Sequence, residues 1–311
     1  MSGHGDAHEL SDTERTDWPA VDIIILNWES YDDTAECLAS LESIDYPNAN
    51  VIVVDNGSTD GSGDRLANEF PWCEFIFNDR NLGFAAGNNV GIERALERDT
   101  DYVLLLNNDT VVTEDFLTPL VKTAERNERV AAVGGVNLYA TSGEVHNAGV
   151  RFPLALGGRT ILREVPKREH VYETDYIPSC LLLLSPTFIR EHDVLNEDYF
   201  IGMEDIDLAW QAREHGWKVL INPDSVIYHK TGMTSTNSPF LTYHTYRNRL
   251  RFASSRLSFA ERLVFVFSLL VQTVGSLFLW VAKSERDMIR ATGAAVLDHV
   301  YDRDFRSHSQ L

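Results

Sequence analysis

The stretch Tyr102-Val103-Leu104-Leu105-Leu106-Asn107-Asn108-Asp109 passes directly from an apolar segment into three polar residues. A segment that is apolar on both faces is typical of a central strand in a parallel sheet. Similar short apolar runs occur earlier, at residues 21–26, 51–54 and 75–77, and amphipathic stretches separate them. This alternation predicts an α/β fold, in which a mostly parallel central sheet has helices on both faces. The strand ends then share one edge, where open α/β sheets bind ligands.

The segments between and beyond these strands are assigned from their periodicity and turn residues. We predict helices over residues 34–43, 85–98 and 204–215, and a further helix that ends near Phe70. Later strands are expected at 180–184, 218–221 and 226–228. Residues 137–178 contain glycine, proline and charged clusters, which predicts a long loop region on the acceptor side of the site. Residues 1–19 are polar and predict a disordered leader without a signal-peptide core.

Composition excludes some classes of function. The chain has 311 residues, of which 44% are hydrophobic, and a formal net charge of −20. That charge argues against nucleic-acid binding, because phosphates would be repelled. The acidic residues are spread along the chain, which favours a halophilic source. The cysteines Cys37, Cys73 and Cys180 form neither a disulfide framework nor a zinc pattern.

Two carboxylates follow predicted strands and are candidates for ligand binding. Asp109 comes directly after the 102–106 run, where it could hold Mg²⁺ or Mn²⁺ against a diphosphate. The alternative is a polar turn with a capping aspartate. Asp55 ends the second strand and could accept hydrogen bonds from a nucleobase imide or from ribose hydroxyls. The alternative there is ordinary strand-to-helix turn chemistry.

Three further segments carry weaker signals. Residues 81–89 combine glycines with polar residues that open a helix, and a helix N-terminus favours anionic groups. Glu204, Asp205 and Asp207 precede an apolar helical run, so they are either helix-capping residues or the source of a general base, for which we choose Asp205. His229 follows an apolar strand and is either a surface histidine or a metal ligand.

Taken together, six segments resemble the family 2 glycosyltransferases, in particular a rhamnosyltransferase-like branch that builds surface polysaccharides and lipid-linked glycans. The resemblance covers about residues 20–255, and its motifs occur in order at 23–28, 53–61, 81–91, 104–110, 203–208 and 226–230. It implies the GT-A fold, a single-domain nucleotide-diphospho-sugar transferase architecture, and a reaction that inverts the anomeric centre.

The resemblance also implies roles for individual residues. The metal motif falls on Asn107-Asn108-Asp109, so Asp109 and the distal His229 are the expected ligands of a divalent cation, Mn²⁺ or Mg²⁺. Asn107 replaces the first aspartate of that motif, which leaves one charged ligand fewer. Asp205 is the expected catalytic base, and Glu204 is expected to position the acceptor or to substitute as the base. The expected donor-binding residues are Asn27, Asp55, Asn56, Ser58, Asn81, Gly83, Phe84, Asn88 and Asn108.

The C-terminal part contains residues 263–282 without a charge. Twenty helical residues reach about 30 Å, close to the thickness of a bilayer core. Arg247, Arg249, Arg251, Arg256 and Arg262 form a basic cluster upstream of this segment. The helix is expected to span a membrane, to lie in its plane, or to bury against protein; arginines near 247 could instead bind phosphates.

We therefore predict residues 20–255 as the catalytic domain and 256–311 as a C-terminal membrane-associating helix and tail. The predicted activity transfers a sugar from a nucleoside-diphosphate donor, with UDP favoured, to a polyprenyl- or dolichyl-linked glycan at the cytoplasmic face of the cell membrane. No nucleic-acid partner is expected. The alternatives are a non-catalytic nucleotide-sugar-binding scaffold subunit and a sugar-nucleotide nucleotidyltransferase.

Overall fold

The computed structural model describes residues 18–153, 160–165, 171–192, 195–230 and 238–303. The strands in these ranges are β1 Val21–Asn27, β2 Ala49–Asp55, β3 Glu74–Phe77, β4 Tyr102–Leu106, β5 Thr110–Val112, β6 Val130–Tyr139, β7 Val145–Asn147, β8 Val150–Arg151, β9 Thr160–Ile161, β10 Tyr172–Glu173, β11 Leu181–Leu184 and β12 Lys218–His229. The helices are α1 Tyr31–Leu41, α2 Ser62–Glu69, α3 Phe84–Glu97, α4 Leu117–Arg126, α5 Pro186–Glu191, α6 Glu204–Glu214, α7 Pro239–Arg256, α8 Phe259–Ala282 and α9 Arg286–Val300.

A ten-stranded sheet forms the centre, with the order β10-β12-β6-β11-β4-β1-β2-β3 and with β5 and β7 attached to β12 and β6. Strand β1 pairs in parallel with β2 and β4, and β6 pairs in parallel with β12. Between these groups β11 is antiparallel to both β4 and β6, so β4, β6 and β12 run in the same direction. The ends of β1, β2, β4 and β12 therefore share one edge, as the sequence predicts.

Hydrophobic side chains alternate between the two faces of the sheet. Ile24 of β1 packs into a cluster on one face, whereas Ile23 and Ile25 pack into a second cluster on the other. Helices α1, α2 and α4 cover the second cluster, and α3, α5 and α6 cover the first. The predicted mixed α/β architecture with helices on both faces is confirmed.

The predicted division of the last strand is wrong. The two short strands expected at 218–221 and 226–228 are one strand, β12, with an irregularity between Ile221 and Val226. The polar residues of this interval look like a turn in sequence, but neighbouring groups satisfy them: Asn222 donates to the Pro119 carbonyl oxygen and Ser225 to that of Phe116. Backbone pairing can therefore resume within the same strand.

The region expected to be one long loop, residues 137–178, also differs from the prediction. Strand β6 continues to Tyr139, and the described residues of this region include the short strands β7 to β10. Each of these strands has only two or three residues. Segments that short carry no periodicity that a sequence pattern could reveal.

The described residues of the predicted C-terminal part, 256–311, contain two helices after α7, namely α8 and α9, where the sequence predicts one helix and a tail. Of the helices in the described ranges, α8 is long and apolar enough to cross a membrane by length and composition. The predicted domain boundary falls at the last residue of α7, Arg256, whose guanidinium binds Asp207 of α6. The leader residues 1–17 and the last eight residues, 304–311, lie outside the described ranges.

The arginine cluster is engaged within the protein. Arg247 donates to the Asp198 carbonyl oxygen, Arg251 binds the Asp198 carboxylate, and Arg262 donates to the Ala253 carbonyl oxygen. These contacts stabilise the junction of α7 with α8 and with the catalytic part. The cluster expected to face lipid or phosphate is therefore used in large part for internal contacts.

Candidate active site

The Asp55 carboxylate lies buried at the end of β2 and is held from two sides. Its Oδ2 accepts a hydrogen bond from Asn27 Nδ2 at 2.8 Å, and its Oδ1 accepts one from the backbone N–H of Ser58 at 2.9 Å. Gly63 of α2 packs so closely that a Cβ there would lie 2.6 Å from the carboxyl carbon of Asp55. Two of the roughly four acceptor positions of a carboxylate are used, which leaves capacity for a ligand.

A chain of side-chain hydrogen bonds joins this carboxylate to the end of β4. The Asn108 amide donates to the Thr34 hydroxyl at 2.9 Å, and that hydroxyl donates to Asn27 Oδ1 at 2.8 Å. Asn27 in turn donates to Asp55. Thr34 is fully buried in the first turn of α1 and connects the two ends of the predicted donor site.

The segment after β3 is fixed largely by its own polar groups. The Asn56 amide donates to Asn81 Oδ1 and to the Gly83 carbonyl oxygen, and its oxygen accepts from the Leu82 N–H. Asn88 Nδ2 donates to the carbonyl oxygen of Phe84, one turn earlier in α3. These amides hold the loop in place, and their contact with a donor stays a prediction.

Gly83 brings this loop against the segment that leads into α6. Its φ is +90°, and a Cβ at this position would lie 2.6 Å from the side chain of Phe200. The N–H of Phe84 donates to the carbonyl oxygen of Phe200 at 2.6 Å. Glycine is needed here because both the backbone conformation and the close approach exclude a side chain. The predicted donor loop and the Glu204–Asp205 segment are thus in contact through Phe200.

Asp109 and His229 meet at the shared edge of the sheet. His229 Nε2 lies 3.0 Å from Asp109 Oδ1, and both side chains are partly exposed. The backbone N–H of Lys230 donates to the Asp109 carbonyl oxygen, and the Lys230 ammonium pairs with Asp33 at 2.8 Å. The structure therefore brings together the two residues predicted as metal ligands, although 120 positions separate them in the chain.

This pair fits part of a divalent-cation site. A carboxylate oxygen and an imidazole nitrogen are suitable donors for Mn²⁺, and both can reach the solvent side. In the described part of the chain, no group of three or more His, Cys, Asp or Glu side chains could hold a metal ion. The remaining ligands of a six-coordinate cation would then come from diphosphate oxygens and water, as is usual when a metal binds with a phosphate substrate.

Helix α6 begins in a strained backbone conformation. Gly202 and Met203 both have positive φ, and the value of 87° at Met203 is uncommon for a residue with a side chain. Such conformations persist where surrounding structure fixes them, and they cluster at functional sites. Here the side chain of Asn248 on α7 donates to the Ile201 and Gly202 carbonyl oxygens and holds the turn.

The two carboxyl groups that follow have different environments. Glu204 is buried, and its Oε2 finds no hydrogen-bond partner among the described residues. Burial, and secondarily the charge of Asp205, raises the pKa of Glu204 to about 8. Asp205 is partly exposed, and its Oδ1 accepts a hydrogen bond from the N–H of Ile206. Near neutral pH, Glu204 is therefore mainly protonated.

Cys180 is a buried cysteine directly before β11, beside the end of β4. Its carbonyl oxygen accepts from the N–H of Asn107, which places it beside the Asp109 loop. Burial raises the pKa of the Cys180 thiol to about 12, and the charges of Asp109 and then Asp205 add to the increase. The thiol is therefore protonated and inert near neutral pH.

Asp207, the third acidic residue of this segment, is structural. It is fully buried, and its two oxygens accept from Arg256 at 2.7 and 2.9 Å. This pair ties α6 to α7. Helix capping is the alternative role for these acidic residues. Asp207 instead forms a tertiary ion pair with Arg256.

Thr34 and Asn248 are two polar residues of the site that the sequence did not indicate. Both lie within amphipathic helical stretches, where a polar residue is most simply read as solvent-exposed. Here both are buried and bind groups from distant parts of the chain. A buried polar side chain whose partners come from other elements leaves no local signal in the sequence.

Solved structures share this fold. The chain is similar to GalNAc-T7, solved with UDP, GalNAc and Mn²⁺, with a TM-score of 0.61 and 14% identity; the match covers 77% of this chain and 52% of that one. It is also similar to the mannosyltransferase PcManGT of Pyrobaculum calidifontis, solved with GDP-Man and Mn²⁺. That match has a TM-score of 0.58 and 17% identity, and it covers 92% of this chain and 88% of that one. The predicted GT-A fold is confirmed.

The family follows from the sequence. Residues 22–174 match the family model described as Glycosyl transferase family 2, so the chain carries a domain of this family. It is 23% identical over 245 residues to the low-salt glycan biosynthesis hexosyltransferase Agl10 of Haloferax volcanii, covering 76% of each chain. It is 24% identical to an N-acetylglucosaminyl-diphospho-decaprenol L-rhamnosyltransferase of Mycobacterium tuberculosis, covering 63% of this chain and 72% of that one.

The protein is thus a glycosyltransferase that transfers a sugar in glycan biosynthesis. This finding confirms the predicted family and enzyme class. It removes the nucleotidyltransferase alternative.

Proposed function

We propose that this glycosyltransferase moves a sugar from a UDP-linked donor to a hydroxyl of a polyprenyl- or dolichyl-phosphate-linked glycan, with inversion at the anomeric carbon. The observation that carries the site assignment is the approach of His229 to Asp109 at the edge where Asp55 ends β2, with the donor loop held against the Glu204–Asp205 segment through Phe200. One carboxylate beside the diphosphate and another beside the acceptor is the arrangement that such a transfer requires. The catalytic part, residues 20–255, would act at the cytoplasmic face of the cell membrane.

Asp205 is the proposed general base. It takes the proton of the acceptor hydroxyl while the hydroxyl oxygen forms a bond to the anomeric carbon. The bond from that carbon to the diphosphate oxygen breaks, and its electron pair leaves with the nucleoside diphosphate. Glu204 has its pKa raised to about 8 and is mainly protonated, so it is suited to donate a hydrogen bond to the acceptor. The contrast between the two carboxyl groups favours Asp205 as the base.

Asp55 is the proposed nucleobase contact. Asn27 and Ser58 fix the direction of its carboxylate, and the remaining lone pairs could accept the imide N–H of uracil. Asn108 and Asn81 lie at the two ends of this donor region. Thymine carries the same imide N–H, so this contact suits UDP and dTDP equally, and the donor panel below distinguishes the two.

Asp109 and His229 would hold a divalent cation, Mn²⁺ or Mg²⁺, together with the diphosphate. When bound, the cation neutralises negative charge on the leaving nucleoside diphosphate. The chain's own contribution is to present one carboxylate and one imidazole at the same edge, 3.0 Å apart. The two structural relatives were solved with Mn²⁺, which supports a divalent cation without distinguishing Mn²⁺ from Mg²⁺.

The lipid-linked acceptor is proposed from the relatives. The mycobacterial relative is named for a decaprenol-linked acceptor, and the Haloferax relative for glycan biosynthesis. The latter also supports a halophilic, archaeal type of pathway that builds surface glycoproteins or polysaccharides. The apolar helix α8 is consistent with work at a membrane.

The experiment is transfer of radiolabelled sugar from UDP-, dTDP- and GDP-linked donors into organic-extractable lipid at high salt. Wild type and Asp109→Asn are compared with and without EDTA, and donor binding is measured in parallel. We expect label in lipid from one donor with wild type and Mn²⁺ or Mg²⁺, and loss of label with EDTA. Transfer that survives both EDTA and Asp109→Asn would refute the metal assignment. Transfer only to water-soluble acceptors would refute the lipid-linked acceptor.

A further inference from the structure

Helix α8 exposes a continuous apolar face. Its exposed large hydrophobic side chains include Phe267 at 68% and Phe278 at 74% of their surface. The full set is Phe259, Leu263, Val264, Val266, Phe267, Leu270, Val271, Val274, Phe278, Leu279 and Val281. Contiguous exposed apolar surface of this kind marks an interaction site.

The polar stripe of the same helix faces the protein. Ser268, Gln272 and Ser276 recur every four residues and are partly buried, and Gln272 accepts a hydrogen bond from Arg249 of α7. Phe265 and Leu269 are buried on this side as well. A helix on the surface of a water-soluble domain normally turns its polar face to solvent, so α8 has the reverse arrangement. The outer face is suited to a non-polar environment.

Both ends of α8 are held on the same body. Helix α9, which follows it, packs along α7, which precedes it. The Tyr243 hydroxyl donates to Asp298 at 2.8 Å, and the Thr242 hydroxyl contacts the Met288 sulfur at 3.2 Å. Because α7 is also bound to the catalytic part through Asn248, the start and end of α8 lie on the catalytic side.

This packing decides between the two membrane geometries that the sequence left open. If α8 crossed a bilayer while keeping its contacts, it would carry the guanidinium of Arg249, which donates to Gln272 in the middle of α8, into the hydrocarbon. Charged side chains at the centre of a bilayer are costly and are rare in spanning helices. A helix that lies in the plane of the interface keeps these charges at the level of the headgroups.

The charge of this part of the chain favours an anionic lipid surface. Residues 238–303 contain nine Lys and Arg against five Asp and Glu, and they keep a positive excess although Arg251 and Arg256 pair with Asp198 and Asp207 outside this range; the whole chain has a net charge of −20. The positive residues beyond α8 include Lys283, Arg286 and Arg290, and all three are exposed. A second copy of this acidic chain would bring like charges together, which makes it the less favourable occupant.

We propose that α8 lies in the plane of an anionic lipid surface, with its Phe267–Phe278 face inserted and with both of its ends on the catalytic side. This inference deepens the proposed function, on which its biological purpose rests. It orients the active site, because Asn248 of α7 holds the Ile201–Gly202 turn that leads into Glu204. The acceptor end of the site would then face the surface that carries the lipid-linked glycan.

The lipid contact is tested by sedimentation of the full chain with phosphatidylcholine vesicles, with and without phosphatidylglycerol. We expect binding to the anionic vesicles and a loss of about 10-fold in partitioning for each of Phe267→Glu and Phe278→Glu. The matched control is Trp72→Glu, which changes an exposed aromatic residue outside the C-terminal helices and should bind like wild type. Equal binding of all four proteins would overturn the proposal.

The geometry is tested by labelling single introduced cysteines in membrane vesicles of both orientations. Ser254→Cys and Ser284→Cys flank α8 at exposed positions, and the native cysteines are buried. With a membrane-impermeant maleimide, we expect both positions to react in inside-out vesicles and neither in right-side-out vesicles. Reaction of the two positions in opposite preparations would show a spanning helix and overturn the proposal.

A second copy as the occupant gives a different result. Light scattering would then find that wild type is a dimer without lipid and that Phe267→Glu is a monomer. Neither wild type nor Phe267→Glu would bind vesicles. This result would overturn the proposal. Failure of wild type to bind anionic vesicles, with intact transfer to a short, soluble acceptor analogue, would count against this inference alone. Loss of transfer with intact vesicle binding would count against the proposed function alone.

Discussion

Replacing Thr34 by Val tests the hydrogen-bond chain that joins the two ends of the donor site. Valine keeps the shape of the side chain but removes the hydroxyl, which donates to Asn27 and accepts from Asn108. Each bond contributes about 0.5–1.5 kcal/mol net, and a buried group left unsatisfied costs about 1–3 kcal/mol. We therefore expect a loss of about 2–3 kcal/mol in the free energy of unfolding. Because Asn27 fixes Asp55, we also expect a rise of about 5- to 10-fold in the donor KM.

Thr123→Val is the matched control. Thr123 is also a buried helical threonine whose hydroxyl donates one hydrogen bond, to Pro119, and accepts one, from Asn222. It lies on α4, away from the candidate site. Urea unfolding and initial rates with varied donor are measured for both variants, and Thr34→Ser should restore the KM. An equal loss of stability in both variants with no change in the Thr34→Val donor KM would refute the coupling of Thr34 to Asp55.

Three further predictions address individual contacts. Glu204→Gln should flatten the pH dependence of stability. The folded-state pKa of about 8 lies above the ordinary 4.5, so the stabilising contribution of Glu204 is complete below pH 4.5 and is lost as the pH rises to about 8. The same fall in urea midpoint across this window in wild type and Glu204→Gln would contradict it. Asp207→Asn should lower the free energy of unfolding by about 3 kcal/mol, since it breaks a buried pair with Arg256; a loss below 1 kcal/mol in urea unfolding would contradict this (about a third of the expectation). Gly63→Ala should raise the donor KM by displacing the Asp55 carboxylate, measured by initial rates, and an unchanged KM would show that the carboxylate has room to move.

The sheet and its functional edge could be predicted from the sequence because the strands of the first half are strongly apolar and end in polar residues. The 102–106 run and Asp109 illustrate this: burial on both faces demands an apolar strand, and the strand end is the first place where a carboxylate can reach solvent. The sequence divides β12 wrongly into two strands, because the polar residues Asn222 and Ser225 interrupt its apolar pattern. Their partners, Pro119 and Phe116, lie about a hundred residues earlier in the chain.

The site was predictable only in part, for the same reason. Asp109 and His229 could be named separately, but their approach to 3.0 Å depends on the pairing of β12 with β5 and β6. The role of Asp207 depends on Arg256, which lies on a different helix. The outward apolar face of α8 likewise follows from which side packs on α7, whereas the sequence alone shows one polar stripe without a direction. Tertiary partners decide these roles, and a local pattern does not contain them.

The most direct test of the central claim is single-turnover sugar transfer by Asp205→Asn, with donor affinity measured on the same sample. Loss of a positioned general base typically costs about 10²- to 10⁴-fold in rate. We predict a loss in this range with an unchanged donor Kd, whereas Asp64→Asn, an exposed carboxylate on α2, transfers like wild type. Transfer by Asp205→Asn at the wild-type rate, with the donor bound equally well, would contradict the assignment of Asp205 as the base.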